Sequence, residues 1–132
     1  MNEVADSTVI IAALANWHWL HEKAAERLQN ISTAISHSLA ETFSTMTRMP
    51  RSQRVHPTQI RLFLDIQFKT EIALTSYLPA IAELTDIGVA GGATYDGLIA
   101  LAARNAGMKL LSLDRRAIPT YEAVGVEYEI LI

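Results

Sequence analysis

The chain has 132 residues, half of them apolar, no cysteine, and 11 Lys+Arg against 14 Asp+Glu for a formal charge of −3. That length buries a real core as one domain, residues 1–132, without metal or disulfide staples, and the apolar half excludes a disordered chain. The missing cysteines exclude a disulfide framework, a thiol nucleophile and cysteine-ligated zinc, so any metal must be held by carboxylates or histidines.

No charge-free apolar run approaches the ~20 residues of a spanning helix, and no basic leader opens the chain, so the expectation is a soluble, cytoplasmic protein with no membrane partner. Residues Glu3 to Asp6 read as a short strand, and Ser7 to Leu14 continues as an apolar helix or turn with Asp6 at the junction. Asn16 to Asn30 has the spacing of an amphipathic helix, Leu20, Ala24 and Leu28 on one side and Glu22, Lys23, Glu26 and Arg27 on the other. Ile31 to Ser36 alternates and suits a second strand. Ser38-Leu39-Ala40-Glu41 then fits a capping box with Ser38 as N-cap. That helix should stop near Arg48, because the residue before Pro50 is pushed out of helical geometry. A basic loop, Pro50 to His56, follows, and Pro57 opens a helix with Ile60, Leu64 and Phe68 on one face. Glu71 to Thr75 reads as a third strand, Ser76 or Tyr77 starts a helix through Thr85, and Gly91-Gly92 turns the chain toward another helix at Thr94.

The stretch from Thr94 to Asp114 organises the rest. As a helix it carries Asp96 in its first turn, with Ile99, Ala100, Ala103 and Gly107 following on one stripe, and Gly107 is a natural stop. Lys109 to Leu113 is then an apolar strand with Asp114 at its end. Arg115 to Ala123 is a short helical or irregular piece, and Val126 to Ile132 closes the chain as a last strand. This alternation predicts an α/β chain whose mostly parallel sheet carries helices on both faces.

Open parallel sheets collect their chemistry at the carboxyl ends of the strands, where Asp6, Glu41, Asp96 and Asp114 would gather. Clustered carboxylates repel one another and lose hydration, so a cation is their natural resident. Mg²⁺ or Mn²⁺ takes such oxygen ligands and polarises a phosphoryl oxygen. Each acid alone has a plainer reading: Glu41 and Asp96 suit the positive end of a helix dipole, and Asp6 and Asp114 suit turns or caps. Only the joint pattern points to a metal.

Val4-Ala5-Asp6-Ser7-Thr8-Val9-Ile10, Ala40-Glu41-Thr42-Phe43, Tyr95-Asp96-Gly97-Leu98-Ile99-Ala100 and Leu111-Ser112-Leu113-Asp114-Arg115-Arg116 resemble the four acidic motifs of PIN domains, specifically those of VapC-type toxins of bacterial toxin–antitoxin pairs. Met46 to Pro50 and Ala117 to Tyr121 resemble connecting segments of those toxins, so the resemblance covers almost the whole chain in order. It implies a three-layer α/β/α sandwich, Mg²⁺- or Mn²⁺-dependent cleavage of RNA, a homodimer, and inhibition by a cognate antitoxin. Asp6, Glu41, Asp96 and Asp114 match the metal-holding acids, Asp114 at the family's least uniform position. Thr8 and Ser112 match hydroxyls that steady a carboxylate or a metal water, Ser112 standing where the family often has threonine.

Arg48, Arg51, Arg54, His56 and Arg61 fall in a segment without acids and are candidates to hold RNA phosphates, as are Arg115 and Arg116; the plainer reading is a solvated loop and helix face. Trp17 and Trp19 suit core or dimer packing, or the edge of a groove for an antitoxin helix. His18 and His21 lie three apart, but no acid pattern beside them supports a metal site. There is no Gly-x-Ser-x-Gly elbow, Walker loop or Gly-x-Gly-x-x-Gly turn. A phosphatase would prefer an Asp-x-Asp pair where the chain has Asp6-Ser7-Thr8, and a phosphoacceptor receiver would want a lysine at a late strand end, whereas Lys109 precedes its strand. The expected function is therefore a metal-dependent endoribonuclease acting as a toxin; the alternative is a non-catalytic PIN-like module that docks RNA or a partner.

Overall fold

In the computed structural model, which describes residues 2–132, strand and helix alternate along most of the chain. The strands are β1 (Glu3–Ala5), β2 (Thr33–Ile35), β3 (Thr70–Ile72), β4 (Lys109–Ser112) and β5 (Tyr128–Ile130). All pair in parallel, β1-β4-β5 in one ladder and β2-β3 in another, with β2 lying beside β1. The helices are α1 (Ser7–Leu14), α2 (His21–Leu28), α3 (Ser36–Thr47), α4 (Pro57–Gln67), α5 (Tyr77–Asp86), α6 (Ala93–Asn105) and α7 (Ile118–Val124), with a 3-10 turn at Arg115–Ala117. None is long and apolar enough to cross a membrane.

Consecutive residues on a strand point to opposite faces. Val4 and Leu110 enter one core with Leu98, Ile99 and Leu101 of α6 and Tyr121 and Val124 of α7. Their neighbours Ala5 and Leu111 enter another with Val9 and Ile10 of α1 and Ala24 and Leu28 of α2. Both faces are therefore covered, as the alternation predicts, which makes the three-layer α/β/α sandwich that the resemblance implies.

The helix carrying Asp96 is more deeply set than its stripe suggested: every residue from Gly97 to Ala103 is buried. A Cβ at Gly97 would sit 2.7 Å from Leu84 Cδ2, so the missing side chain is what lets α6 come this close to α5. Gly107, at φ +68°, turns the chain out of α6 and into β4 as expected.

Two expectations fail at helix starts. The helix predicted from Asn16 begins only at His21, because His18 Nδ1 accepts the Leu20 N–H at 3.0 Å and holds the preceding residues in turns. Nor does a capping box form at Ser38. The chain passes from β2 straight into α3 at Ser36 with Ile35 as N-cap, which leaves Ser38 inside the helix, buried, its Oγ without a hydrogen-bond partner among the described residues. The third strand also sits earlier than predicted, ending at Ile72.

Charge closes the beginning of the central strands. Arg27 of α2 reaches Glu3 at 2.7 Å and Glu129 at 2.8 Å, and Lys109 reaches Glu129 at 2.7 Å. A polar groove of about 750 Å³, lined by Glu3, Lys23, Arg27 and Ser32, opens beside this network. The candidate acids Asp6 and Asp114 stand at the other ends of the same strands.

Candidate active site

Asp6 leaves β1 and caps α1, and it is only 3% exposed. Its Oδ1 accepts the backbone N–H of Thr8 at 3.0 Å and of Val9 at 3.4 Å, together with the Thr8 hydroxyl. Its Oδ2 accepts the Tyr121 hydroxyl at 2.8 Å. Burial pushes the Asp6 carboxyl up, against the hydrogen bonds from Ser112, Thr8, Tyr121 and Val9, which favour the charged form. Thr8 also joins two strand ends, since its Oγ1 accepts the Leu113 N–H at 2.9 Å just beyond β4.

Ser112 is fully buried, and its Oγ accepts the Asp114 N–H at 3.0 Å. Asp114 itself caps the 3-10 turn, its Oδ1 accepting the Arg116 backbone N–H at 2.9 Å and the guanidinium Nε at 3.3 Å. The plain capping role is therefore realised at Asp6 and at Asp114, and it coexists with their placement past the ends of β1 and β4.

Glu41 projects from α3 toward the start of α1, where Ser7 Oγ lies 3.4 Å from its Oε1. Burial pushes its carboxyl up; His37 and Ser7 pull the other way, and the Asp6 charge adds to the rise. Asp96, in the first turn of α6, is the most perturbed of the half-buried acids. Burial acts on it first, then the negative charges of Asp6, Asp114 and Glu41, and together they push it up to about 6 against a weak pull from Arg116. Each of the other acids is thus close enough to act on Asp96. Among the described residues, however, no three carboxylate or imidazole groups stand as a ready-made ligand set. The acids act on one another through their charges without closing on a single point. That arrangement fits a small hard dication that keeps several of its waters, as Mg²⁺ does.

The basic candidates divide. Arg115 and Arg116 follow β4 directly and stand at the acid end, both exposed. Arg48, Arg51 and Arg54 are exposed beyond the far end of α3, with Arg48 about two helical turns past Glu41. Arg54 is partly spent on the loop, its Nε donating to the Met49 carbonyl at 2.9 Å. Trp17 and Trp19 are exposed, Trp19 at 77%, so neither is core. His18 and His21 spend ring nitrogens on the backbone, at Leu20 N and Ala12 O.

Sequence reasoning did not single out Tyr121. The signal was present, because Ala117, Tyr121 and Val124 recur at i, i+4 and i+7, and a tyrosine on a buried stripe needs a partner for its hydroxyl. Also unforeseen is the stacking of His37 on Tyr95.

A parallel α/β/α sandwich with acids gathered past the ends of β1 and β4 and in the first turn of α6 is the arrangement expected of a PIN domain, and the PIN domain family model matches residues 4–122. The chain belongs to the PIN domain family. It is 40% identical over 129 residues, 96% of either chain, to ribonuclease VapC40 of Mycobacterium tuberculosis. To ribonuclease VapC27 of the same organism it is 38% identical over 119 residues, 87% of this chain and 79% of that relative. The structure of FitAB bound to the IR36 DNA fragment contains a chain of the same fold, with a TM-score of 0.67 at 16% identity over 97% of this chain and 94% of that one.

Proposed function

We propose that this protein is a Mg²⁺- or Mn²⁺-dependent endoribonuclease, the toxin of a toxin–antitoxin pair. The observation that carries the proposal is the placement of Asp6 and Asp114 past the ends of the parallel strands β1 and β4 with half-buried Asp96 in the first turn of α6, where burial and the charges of Asp6, Asp114 and Glu41 push its carboxyl up. A site so short of positive charge suits a divalent cation. PIN family membership and the ribonuclease names of VapC40 and VapC27 support the reaction class.

Asp6, Glu41, Asp96 and Asp114 would hold the ion, which when bound polarises a phosphoryl oxygen and makes water a competent nucleophile near neutral pH. Tyr121 and Thr8 fix Asp6 from its two oxygens, so this carboxylate does not reorganise as charge develops on the phosphate. Ser112 holds the turn that presents Asp114. Arg115 and Arg116 neutralise RNA phosphates at the acids, and Arg48, Arg51 and Arg54 extend a basic track for the backbone, which gives salt-sensitive affinity without base readout. Attack by water leaves 5′-phosphate and 3′-hydroxyl ends; 2′,3′-cyclic phosphate ends would contradict the mechanism.

The same proposal takes a cognate antitoxin and a second copy of the chain as partners, and the cytoplasm as its place. Exposed Trp17 and Trp19 are its aromatic anchors for an antitoxin helix. Alanine at both positions should weaken antitoxin affinity at least about tenfold in a stable protein, and unchanged affinity removes them from that interface.

The test incubates purified protein with structured and single-stranded RNAs in Mg²⁺, Mn²⁺ or EDTA, beside Asp96→Asn. Cleavage that needs metal and vanishes in the variant supports the proposal. Cleavage undiminished in EDTA contradicts it, and metal binding without cleavage across a broad panel favours the non-catalytic docking module.

A further inference from the structure

Tyr95 immediately precedes Asp96 in the first turn of α6, yet its ring stays out of the core and is 54% exposed. An exposed tyrosine ordinarily samples several rotamers. This one is restrained, because the His37 ring of α3 lies stacked on it, with centroids 5.3 Å apart and planes 2° from parallel. His37 also lies against Glu41, with Nε2 4.0 Å from Oε2, and that nitrogen is buried with no hydrogen-bond partner among the described residues. The pair therefore bridges the two helices that carry Glu41 and Asp96. Trp17 and His18 meet only at a tilt of 36°, so among the described residues Tyr95 is the only exposed aromatic residue stacked parallel on another ring.

Three properties coincide here. The residue is 54% exposed, its ring is preordered by the stack on His37, and the pair sits on the two site helices, next to Asp96 in sequence and against Glu41 through His37. A preordered aromatic loses little rotamer freedom when something stacks on it. Single-stranded RNA supplies such a partner, since its unpaired bases splay out and stack on aromatic side chains, whereas bases in a duplex remain in their own stack.

We infer that the His37–Tyr95 stack is a platform for one nucleobase of single-stranded RNA, the base beside the phosphodiester presented to Asp6, Glu41, Asp96 and Asp114. The inference rests on the ribonuclease proposal and adds the form of substrate: an unpaired base next to the cut. Tyr95 touches that base and His37 acts through Tyr95, so Tyr95 is a substrate-binding residue and His37 a positioning one. Stacking accepts any base face, so the platform selects unpaired RNA over duplex without a strict sequence code.

The test uses the full chain and a set of single-stranded RNA decamers carrying 2-aminopurine at each position in turn, titrated in Ca²⁺ to slow cleavage. Wild type and Tyr95→Trp should quench one position strongly, and Tyr95→Leu, which keeps apolar bulk but removes the aromatic face, should lose that quench. In cleavage assays Tyr95→Leu should raise KM for single-stranded RNA roughly five- to a hundredfold with kcat largely retained, and Tyr95→Trp should restore KM. A merely structural Tyr95 would instead lower kcat or the melting temperature, and Trp would not restore KM. Equal quenching by wild type and Tyr95→Leu, or an unchanged KM in an enzyme that cuts RNA, overturns the platform and leaves the ribonuclease proposal standing. Failure of the wild type to bind or cut any RNA overturns both.

Discussion

Where β1 and β4 begin, each acid has a base; where they end, acids chiefly face other acids. Glu3 and Glu129 share Arg27 and Lys109, and those two cations hold the Glu129 carboxyl down at about 2. At the other ends, of Asp6, Glu41, Asp96 and Asp114 only Asp114 has a bonded guanidinium among the described residues, that of Arg116, whose side chain is 93% exposed. There Asp96 rises to about 6. Two strands thus connect a charge network that stabilises the fold to one in which unpaired charge costs stability. Compensated charge is structural; uncompensated charge held in place by a rigid scaffold is what a metal site requires.

The largest effect should come from the uncompensated end. Asp96→Asn should lower kcat/KM for RNA by about a thousandfold, since metal assistance contributes several kcal/mol. The same change should raise the stability of metal-free protein by about 1 kcal/mol, a figure discounted for the residue's half-exposed position and read by thermal unfolding in EDTA. If the variant lost both activity and stability, the contrast between the two ends would break.

Next in size is Tyr121→Phe, which leaves Asp6 Oδ2 buried without its donor. Unfolding titrations should find the variant destabilised by about 1–3 kcal/mol, and cleavage should weaken because Asp6 is pushed further toward its neutral form. Arg27→Met, at the compensated end, should cost about 1–2 kcal/mol while cleavage per folded molecule is unchanged. A loss of catalysis there would show that the two ends are not separable.

The smallest and most diagnostic effect is on pH dependence. Glu129 sits at about 2 when folded and near 4.5 otherwise, so the stability it contributes is complete above 4.5 and is lost as pH falls toward 2. Asp96 runs the opposite way, from 3.8 up to about 6 on folding. Its contribution is complete below 3.8 and is lost as pH rises through about 6. These two groups together should therefore make the metal-free protein most stable at about pH 4. In melting scans against pH, Asp96→Asn should flatten the neutral limb and Arg27→Met the acid one.

Much of this was legible in the chain because the decisive residues sit at element boundaries that local chemistry sets. Gly107 ends α6 and Pro57 opens α4 where the sequence places them, and Asp6, Asp96 and Asp114 fall at junctions those boundaries imply. The capping box at Ser38 misled because the chain passes from β2 straight into the helix at Ser36, which leaves Ser38 inside the helix, where it cannot cap it. His18 misled for another reason, a local hydrogen bond that outcompetes the helix its neighbours favour. The longest-range partnerships were not legible at all. Tyr121 reaches Asp6 across 115 positions and Arg27 reaches Glu129 across 102, and no local pattern specifies which buried carboxylate receives which donor.

Mn²⁺ binding followed by electron paramagnetic resonance across pH shows whether the acid cluster is a cation site. Wild type should bind the ion with an affinity that weakens as pH falls through about 6 and that is at least about tenfold lower in Asp96→Asn. Mn²⁺ affinity that is independent of pH and the same in wild type and Asp96→Asn would contradict a cation site there.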